Sequence, residues 1–149
     1  MLMAEPYLPG QKITISVFAD GTSLPIAERF AQKDGVAPYN GDVPVTQNSR
    51  TVIEKTAAQH AIRQACKQAV LTLDLKGLVR IDCHADGAYY MFDFNPKPNL
   101  TGAARPHHMN QNCLTMISAA AQGWSYFDLL HKMLDSRRQL YLLYVRSRT

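Results

Sequence analysis

The stretch RIDCHADGAYYMFDFNP, Arg80 to Pro96, narrows most sharply what this chain can become. Asp86-Gly87 between Ala85 and Ala88 is a strong two-residue turn signal, flanked by alternating strand-forming residues. With that turn Ala85 pairs with Ala88, Arg80 faces Asp93, Asp82 faces Met91 and His84 faces Tyr89. Arg80, Asp82, Met91, Asp93 and Asn95 then share one face, and Val79, Ile81, Cys83, Tyr90, Phe92 and Phe94 share the other. A hairpin with one apolar face must bury it against another layer.

The polar face has two readings. One is a solvated surface carrying a cross-strand Arg80–Asp93 ion pair, as charged outer faces are common on antiparallel sheets. The other is an ion site. Asp82 and Asp93 fall on a cross-strand diagonal, roughly 7 Å apart at the backbone, close enough to share a cation. Asn95 adds a neutral oxygen, and a few oxygen ligands suit magnesium, which fills its remaining positions with water and phosphate. Arg80 beside them suits a phosphate or a developing anion. Pro96 and Pro98 stiffen the exit after Asn95, which favours the ion site.

Around this hairpin the chain reads as β-β-loop-α-β-β-α-α. Lys12 to Phe18 alternates as a half-buried strand, and Ser23 to Phe30 returns as a second. Ala31 to Ser49, rich in Gly, Pro, Asn and Asp, is a long loop of the kind that covers sites. Thr51 with Glu54 fits a capping box opening a helix to about Leu73, with Ala58, Ala61, Ile62, Ala65, Ala69 and Leu73 as a slim apolar face. A short helix over Asn112 to Gln122 stops at Gly123. Ser125 and Asp128 cap a last helix with a Phe127, Leu130, Leu134 stripe. The expected class is α+β, an antiparallel sheet flanked by helices, in a single domain over 1–149 with a basic tail from 136.

A 149-residue chain with 46% hydrophobic and 19% charged residues can bury one core. The net charge of +4 is mild, and Arg137, Arg138, Arg146 and Arg148 concentrate it at one end. That excludes a broad nucleic-acid surface and admits a phosphate-bearing small molecule. Cys66, Cys83 and Cys113 are odd in number, widely spaced and without a CxxC pair, which argues against a disulfide framework and a zinc site. No apolar run reaches ~18 residues and the opening MLMAEPYLPG lacks a leader pattern, so a cytoplasmic protein without membrane contact is expected.

With these residues in hand the chain resembles the C-terminal half of an ATP-grasp ligase of the D-alanine–D-alanine ligase type. That family shows Gly-x-x-Arg-x-Asp, a short hairpin, then Glu-x-Asn-x-x-Pro. Here these read Gly77-Leu-Val-Arg80-Ile-Asp82 and Asp93-Phe-Asn95-Pro-Lys-Pro98. Upstream, Glu5-Pro-Tyr-Leu8-Pro-Gly10 resembles the family's adenine-gripping segment. Downstream, GWSYFDLL from Gly123 resembles its closing helix, so the likeness runs from about Glu5 to Asp135.

The resemblance implies ATP and magnesium as ligands, and an acyl-phosphate route joining a small carboxylate to an amine. It implies that Asp82, Asp93 and Asn95 hold magnesium and that Arg80 stabilises the intermediates. It implies that Glu5 and Leu8 contact adenine, with Lys33 in the loop after Phe30 reaching phosphate as a lid residue. A solvated loop lysine is the plainer reading of Lys33. The pattern departs from the family at three places. Asp93 stands where Glu is usual; Lys12 stands where the ribose-binding acid falls; and the D-alanine-holding Gly and Ser fall near Asn99 and Ala104.

The subdomain whose lysines hold ATP phosphates has no counterpart, so a fragment of a longer ligase with little turnover alone is expected. The alternative is an inactive half-fold that serves as a binding or oligomerisation module, which Lys12 favours. His107-His108 read as loop residues, Trp124 as helix packing, and Lys97 and Arg105 as either site-exit or surface charge. Gln139 to Val145 reads as a helix extension, or a strand docking on the core or a second subunit.

Overall fold

A computed structural model describes residues 4, 7–30, 45–102 and 111–146, with side chains in the last helix through Arg137. Glu5, Lys33, Ala104, Arg105, His107, His108 and most of the expected loop lie outside these residues.

Ile13, Ile15 and Val17 alternate with Thr14 and Ser16 along strand β1, Lys12–Val17, so β1 can bury one row on each side of a sheet. It lies in the middle. Strands β2 (Ala27–Arg29), β3 (Ser49–Thr51), β4 (Val79–Asp86) and β5 (Ala88–Asn95) complete a five-stranded sheet among the described residues, in the order β3-β2-β1-β4-β5. Every neighbouring pair is antiparallel. The α+β class expected from the sequence is what forms.

The odd-numbered row of β1 meets helix α1, Ala57–Thr72. Ile13, Ile15, Val17, Val79, Ile81 and Cys83 pack there against Ile62, Cys66 and Val70. On the other face lie helices α2 (Leu114–Ala121) and α3 (Tyr126–Arg146). Phe18, Leu24, Leu78, Met116 and Leu129 form a second core there, with Trp124 packed against it as expected. Ser16 and Thr115, both buried, satisfy each other across the sheet–α2 contact at 3.2 Å.

Several expectations about the helices shift. Thr51 pairs with Ala27 inside β3 and so cannot cap α1. Thr56 caps it in extended conformation and Gln59 closes the box, while Glu54 pairs with Arg63 instead. The buried face of α1 is Gln59, Ile62, Cys66 and Val70; Ala58, Ala61 and Ala65 are exposed, as is Leu73. Alanines carry little area, so the larger Ile62 and Val70 decide which side meets the sheet. On α3 the Ser125–Asp128 box forms, but Leu129 and Met133 face the core, and Phe127 is 65% exposed. Its backbone stays helical through Arg146, so Gln139 to Val145 extends the helix rather than forming a strand or a tail.

The second strand is shorter than Ser23 to Phe30, because Pro25 donates no hydrogen bond and only Ala27–Arg29 pair regularly. Beyond that, Ser23 makes an isolated bridge with Val17. Part of the expected loop is structured, with a short helical turn at Val45–Gln47 leading into β3. Cys66 and Cys83, far apart in sequence, bring their sulfurs to 3.9 Å in the core, and all three cysteines are free and buried. No helix among the described residues is long and apolar enough to cross a membrane.

Candidate functional site

The β4–β5 hairpin does not take the two-residue turn. Asp86 pairs with Ala88 around Gly87 alone, whose φ of 70° is left-handed and favours glycine. From that turn the partners run Ala85–Tyr89, His84–Tyr90 and Cys83–Met91. Continued unchanged, this register would put Asp93 opposite Ile81, on the buried face. A β-bulge intervenes between Asp82 and Cys83, leaving Phe92 as the extra residue. Beyond it Asp82 pairs with Asp93, Ile81 with Phe94, and Arg80 with Asn95.

Two irregularities therefore cancel, and Arg80, Asp82, Asp93 and Asn95 do share one face. The expected diagonal between the carboxylates is replaced by direct opposition, and Arg80 faces Asn95 rather than Asp93. Residues near the turn change sides. Met91 pairs with Cys83 and leaves the acidic face, whereas Tyr90 pairs with His84. Phe92 sets its ring 4.4 Å from His84, edge to face, and is 53% exposed instead of joining the core.

Arg80 is not paired with Asp93. Its Nε and Nη2 donate to the two oxygens of Asp82, at 3.2 and 3.0 Å, along the same strand. Thr14 of β1 donates from Oγ1 to Asp82 Oδ1 at 2.7 Å. These bonds leave a lone pair on Asp82 Oδ2. The Asp93 carboxylate makes no hydrogen bond or ion pair among the described residues. Asn95 accepts from the Lys97 amide at 2.9 Å, which fixes its carboxamide and keeps one acceptor site on Oδ1. No group of three or more His, Cys, Asp or Glu able to hold a metal occurs among the described residues. Two opposed carboxylates beside an amide oxygen fit a hard cation that keeps water and phosphate ligands.

Thr14, Arg80, Asp82 and Asp93 line an open cleft of about 220 Å³ with Lys12, Arg29, Cys83, His84 and Phe92. Sequence reasoning missed Thr14, Arg29 and His84. The alternation of β1 placed Thr14 opposite its apolar row, but no local signal said that β1 would lie beside β4. Burial and neighbouring Arg29 hold the Lys12 ammonium below its usual pKa. Burial and Lys12 likewise lower His84, against the opposing pull of a hydrogen bond to the Leu8 backbone and of Asp82. Burial raises the Cys113 thiol, which lies near enough to Arg80 to feel its charge.

The segment before β1 is stitched to the same strand. Gly10 donates to the Ala85 carbonyl at 3.0 Å and Ala85 donates to Gln11 at 3.0 Å. A Cβ at Gly10 would come within 2.3 Å of that carbonyl oxygen, so only glycine permits the approach. Leu8 is thereby held, half-buried, beside His84 at the rim of the cleft.

A family model described as D-ala D-ala ligase C-terminus matches residues 1–135. The chain belongs to this family. The fold of this D-ala D-ala ligase C-terminal chain is that of the solved D-alanine–D-alanine ligase from Bacillus anthracis complexed with ATP. The TM-score is 0.66 at 23% identity, over 97% of this chain and 41% of that one. A second structure of the Bacillus anthracis enzyme gives 0.66 at 24% identity, over 91% and 42%. The chain thus spans about two fifths of the length of these solved relatives. No curated protein matches it.

Proposed function

We propose that this chain supplies the ATP- and magnesium-binding side of an ATP-dependent carboxylate–amine ligase that works through an acyl-phosphate. The observation that carries this reading is the direct opposition of Asp82 and Asp93 beside Asn95, with Arg80 locked onto Asp82. Family membership and the ATP complex of the Bacillus anthracis enzyme support it.

In this reading Asp82, Asp93 and Asn95 hold magnesium, which when bound would offset the charge that builds on the transferring phosphoryl group. Asp82 also orients Arg80. The bidentate contact uses Nε and Nη2 and leaves Nη1 to donate to an anionic oxygen of the acyl-phosphate or tetrahedral intermediate. Thr14 fixes the Asp82 carboxylate from the neighbouring strand, so the charged groups need little rearrangement as the reaction proceeds. Leu8, pinned at the rim, offers an apolar contact to adenine. A further polypeptide segment would bring the remaining phosphate-holding groups and the small carboxylate substrate.

Calorimetry with magnesium-ATP tests the reading on wild type and Asp82→Asn. Wild type should bind and Asp82→Asn should weaken binding by at least about tenfold, as losing a charge-assisted contact does. Equal binding by both proteins would sink the proposal.

A further inference from the structure

Helix α3, Tyr126–Arg146, continues past the part of the chain that the family model matches, which stops at residue 135. At 1.5 Å per residue its 21 residues span about 31 Å. One side belongs to the core: Leu129 is packed there, Met133 lies against it and Ser136 is buried.

The opposite side is apolar as well. Phe127 is 65% exposed and Leu134 56%, with Leu130 half-buried between them. The spacing continues along the helix, where Tyr141 follows Leu134 by seven residues and Tyr144 follows Tyr141 by three. With exposed Arg137 the series 127, 130, 134, 137, 141, 144 advances alternately by three and four. That is the period of a seam along which one helix packs on another.

Two observations choose the occupant. The series is symmetric about its midpoint. Set antiparallel against a second copy, position 127 meets 144, 130 meets 141 and 134 meets 137. One face therefore complements itself about a two-fold axis. The charges run the same way. Residues 126–135 carry Asp128 and Asp135, and their one lysine, Lys132, is bonded to Asp20. Residues 136–146 carry Arg137, Arg138 and Arg146 and no acid. Antiparallel pairing lays each acidic half along a basic half, whereas parallel pairing sets like charges together.

We propose that α3 is a docking surface for a second copy of this chain, the two helices packing antiparallel along this seam. An arginine that meets a leucine there covers it with its apolar stem and keeps the guanidinium in water. The inference is independent of the nucleotide reading, since no residue of the seam lines the cleft.

Sedimentation equilibrium of the full 149-residue chain, from micromolar to submillimolar concentration, tests it. Wild type should dimerise with a micromolar or tighter dissociation constant, and more weakly as salt rises. Leu134→Glu puts a charge into the seam, and the double variant Arg137→Glu with Arg138→Glu sets acid against acid. Each should weaken the dimer at least about tenfold. Ile53→Glu and Lys76→Glu alter an exposed apolar group and an exposed cation off α3, and should dimerise as wild type does. Circular dichroism reports whether each variant is folded. Should Leu134→Glu not fold, the double arginine variant and the salt dependence decide. A wild type that stays monomeric at submillimolar concentration overturns the proposal, as does a dimer that a folded Leu134→Glu leaves intact. A dimer indifferent to the arginine reversal overturns the antiparallel arrangement. A monomeric wild type that binds anionic vesicles overturns the proposal in favour of a lipid surface.

Discussion

Asp82 and Asp93 stand directly opposite each other on β4 and β5 only because Phe92 is bulged out between them and the turn. Two carboxylates in that position repel unless a cation lies between them. Arg80 partly offsets this by gripping Asp82 from its own strand, which leaves Asp93 as the uncompensated member of the pair.

Asp93→Asn should therefore separate function from stability. Asp93 is exposed and its carboxylate has no partner among the described residues, so thermal unfolding should shift by no more than the equivalent of about 0.5 kcal/mol. Magnesium-ATP affinity, by calorimetry, should fall at least about tenfold. A variant that keeps its affinity would show that the opposed carboxylates do not share a cation.

Gly10 and Gly87 should respond differently to alanine. At Gly87 a Cβ meets nothing within 4 Å, so only the left-handed backbone is penalised and the loss is about 1 kcal/mol. At Gly10 the new Cβ runs into the Ala85 carbonyl and the strands must part, costing about 2–3 kcal/mol. Denaturant unfolding of the two variants reads the difference, and equal midpoints would contradict it.

Thr56 closes a full capping box with Gln59 at the start of α1. Thr56→Ala should lower stability by about 1 kcal/mol, measured by chemical denaturation, while Thr51→Ala should not affect the cap. A larger effect at Thr51 than at Thr56 would reinstate the helix start expected from sequence.

Asp20 ties the turn after β1 to α3 through Lys132, at 2.7 Å. Burial pushes its pKa up, but hydrogen bonds from Lys132 and Thr22 outweigh this and leave it below the usual carboxylate value of 3.8. A carboxyl depressed in the folded state stabilises the fold above that value, and the gain is lost as pH falls through the folded pKa. Asp20→Asn should thus be less stable than wild type at pH 7, by about 0.5–1 kcal/mol, with the gap closing below about pH 4. A gap that persists at pH 2 would refute the linkage.

The fold class was readable from alternation in β1 and β4 and from the cap signals of α3, because these patterns are local. The sharing of a face by Arg80, Asp82, Asp93 and Asn95 was also readable, though by a wrong route. A one-residue turn and a bulge each shift parity once, so the faces agree while the partners differ. Nothing local announces a bulge at Phe92, and an aromatic there reads as core. The slim face of α1 misled because alanines mark no side. Thr14, Arg29 and His84 reach the cleft through strand neighbours distant in sequence, which periodicity cannot reveal. Glu5 and Lys33 lie outside the described residues.

Gly10 and Gln11 extend the bonding of β1 to β4 beyond Lys12, and β1 is bonded along its other edge to β2. These bonds run perpendicular to the strands. Tension arriving through Tyr7 and Leu8 along the axis of β1 would load them all in shear rather than peeling them singly. Any rigid-body displacement of that leading segment is consequently delivered to β4 as a whole, and with it to Arg80 and Asp82.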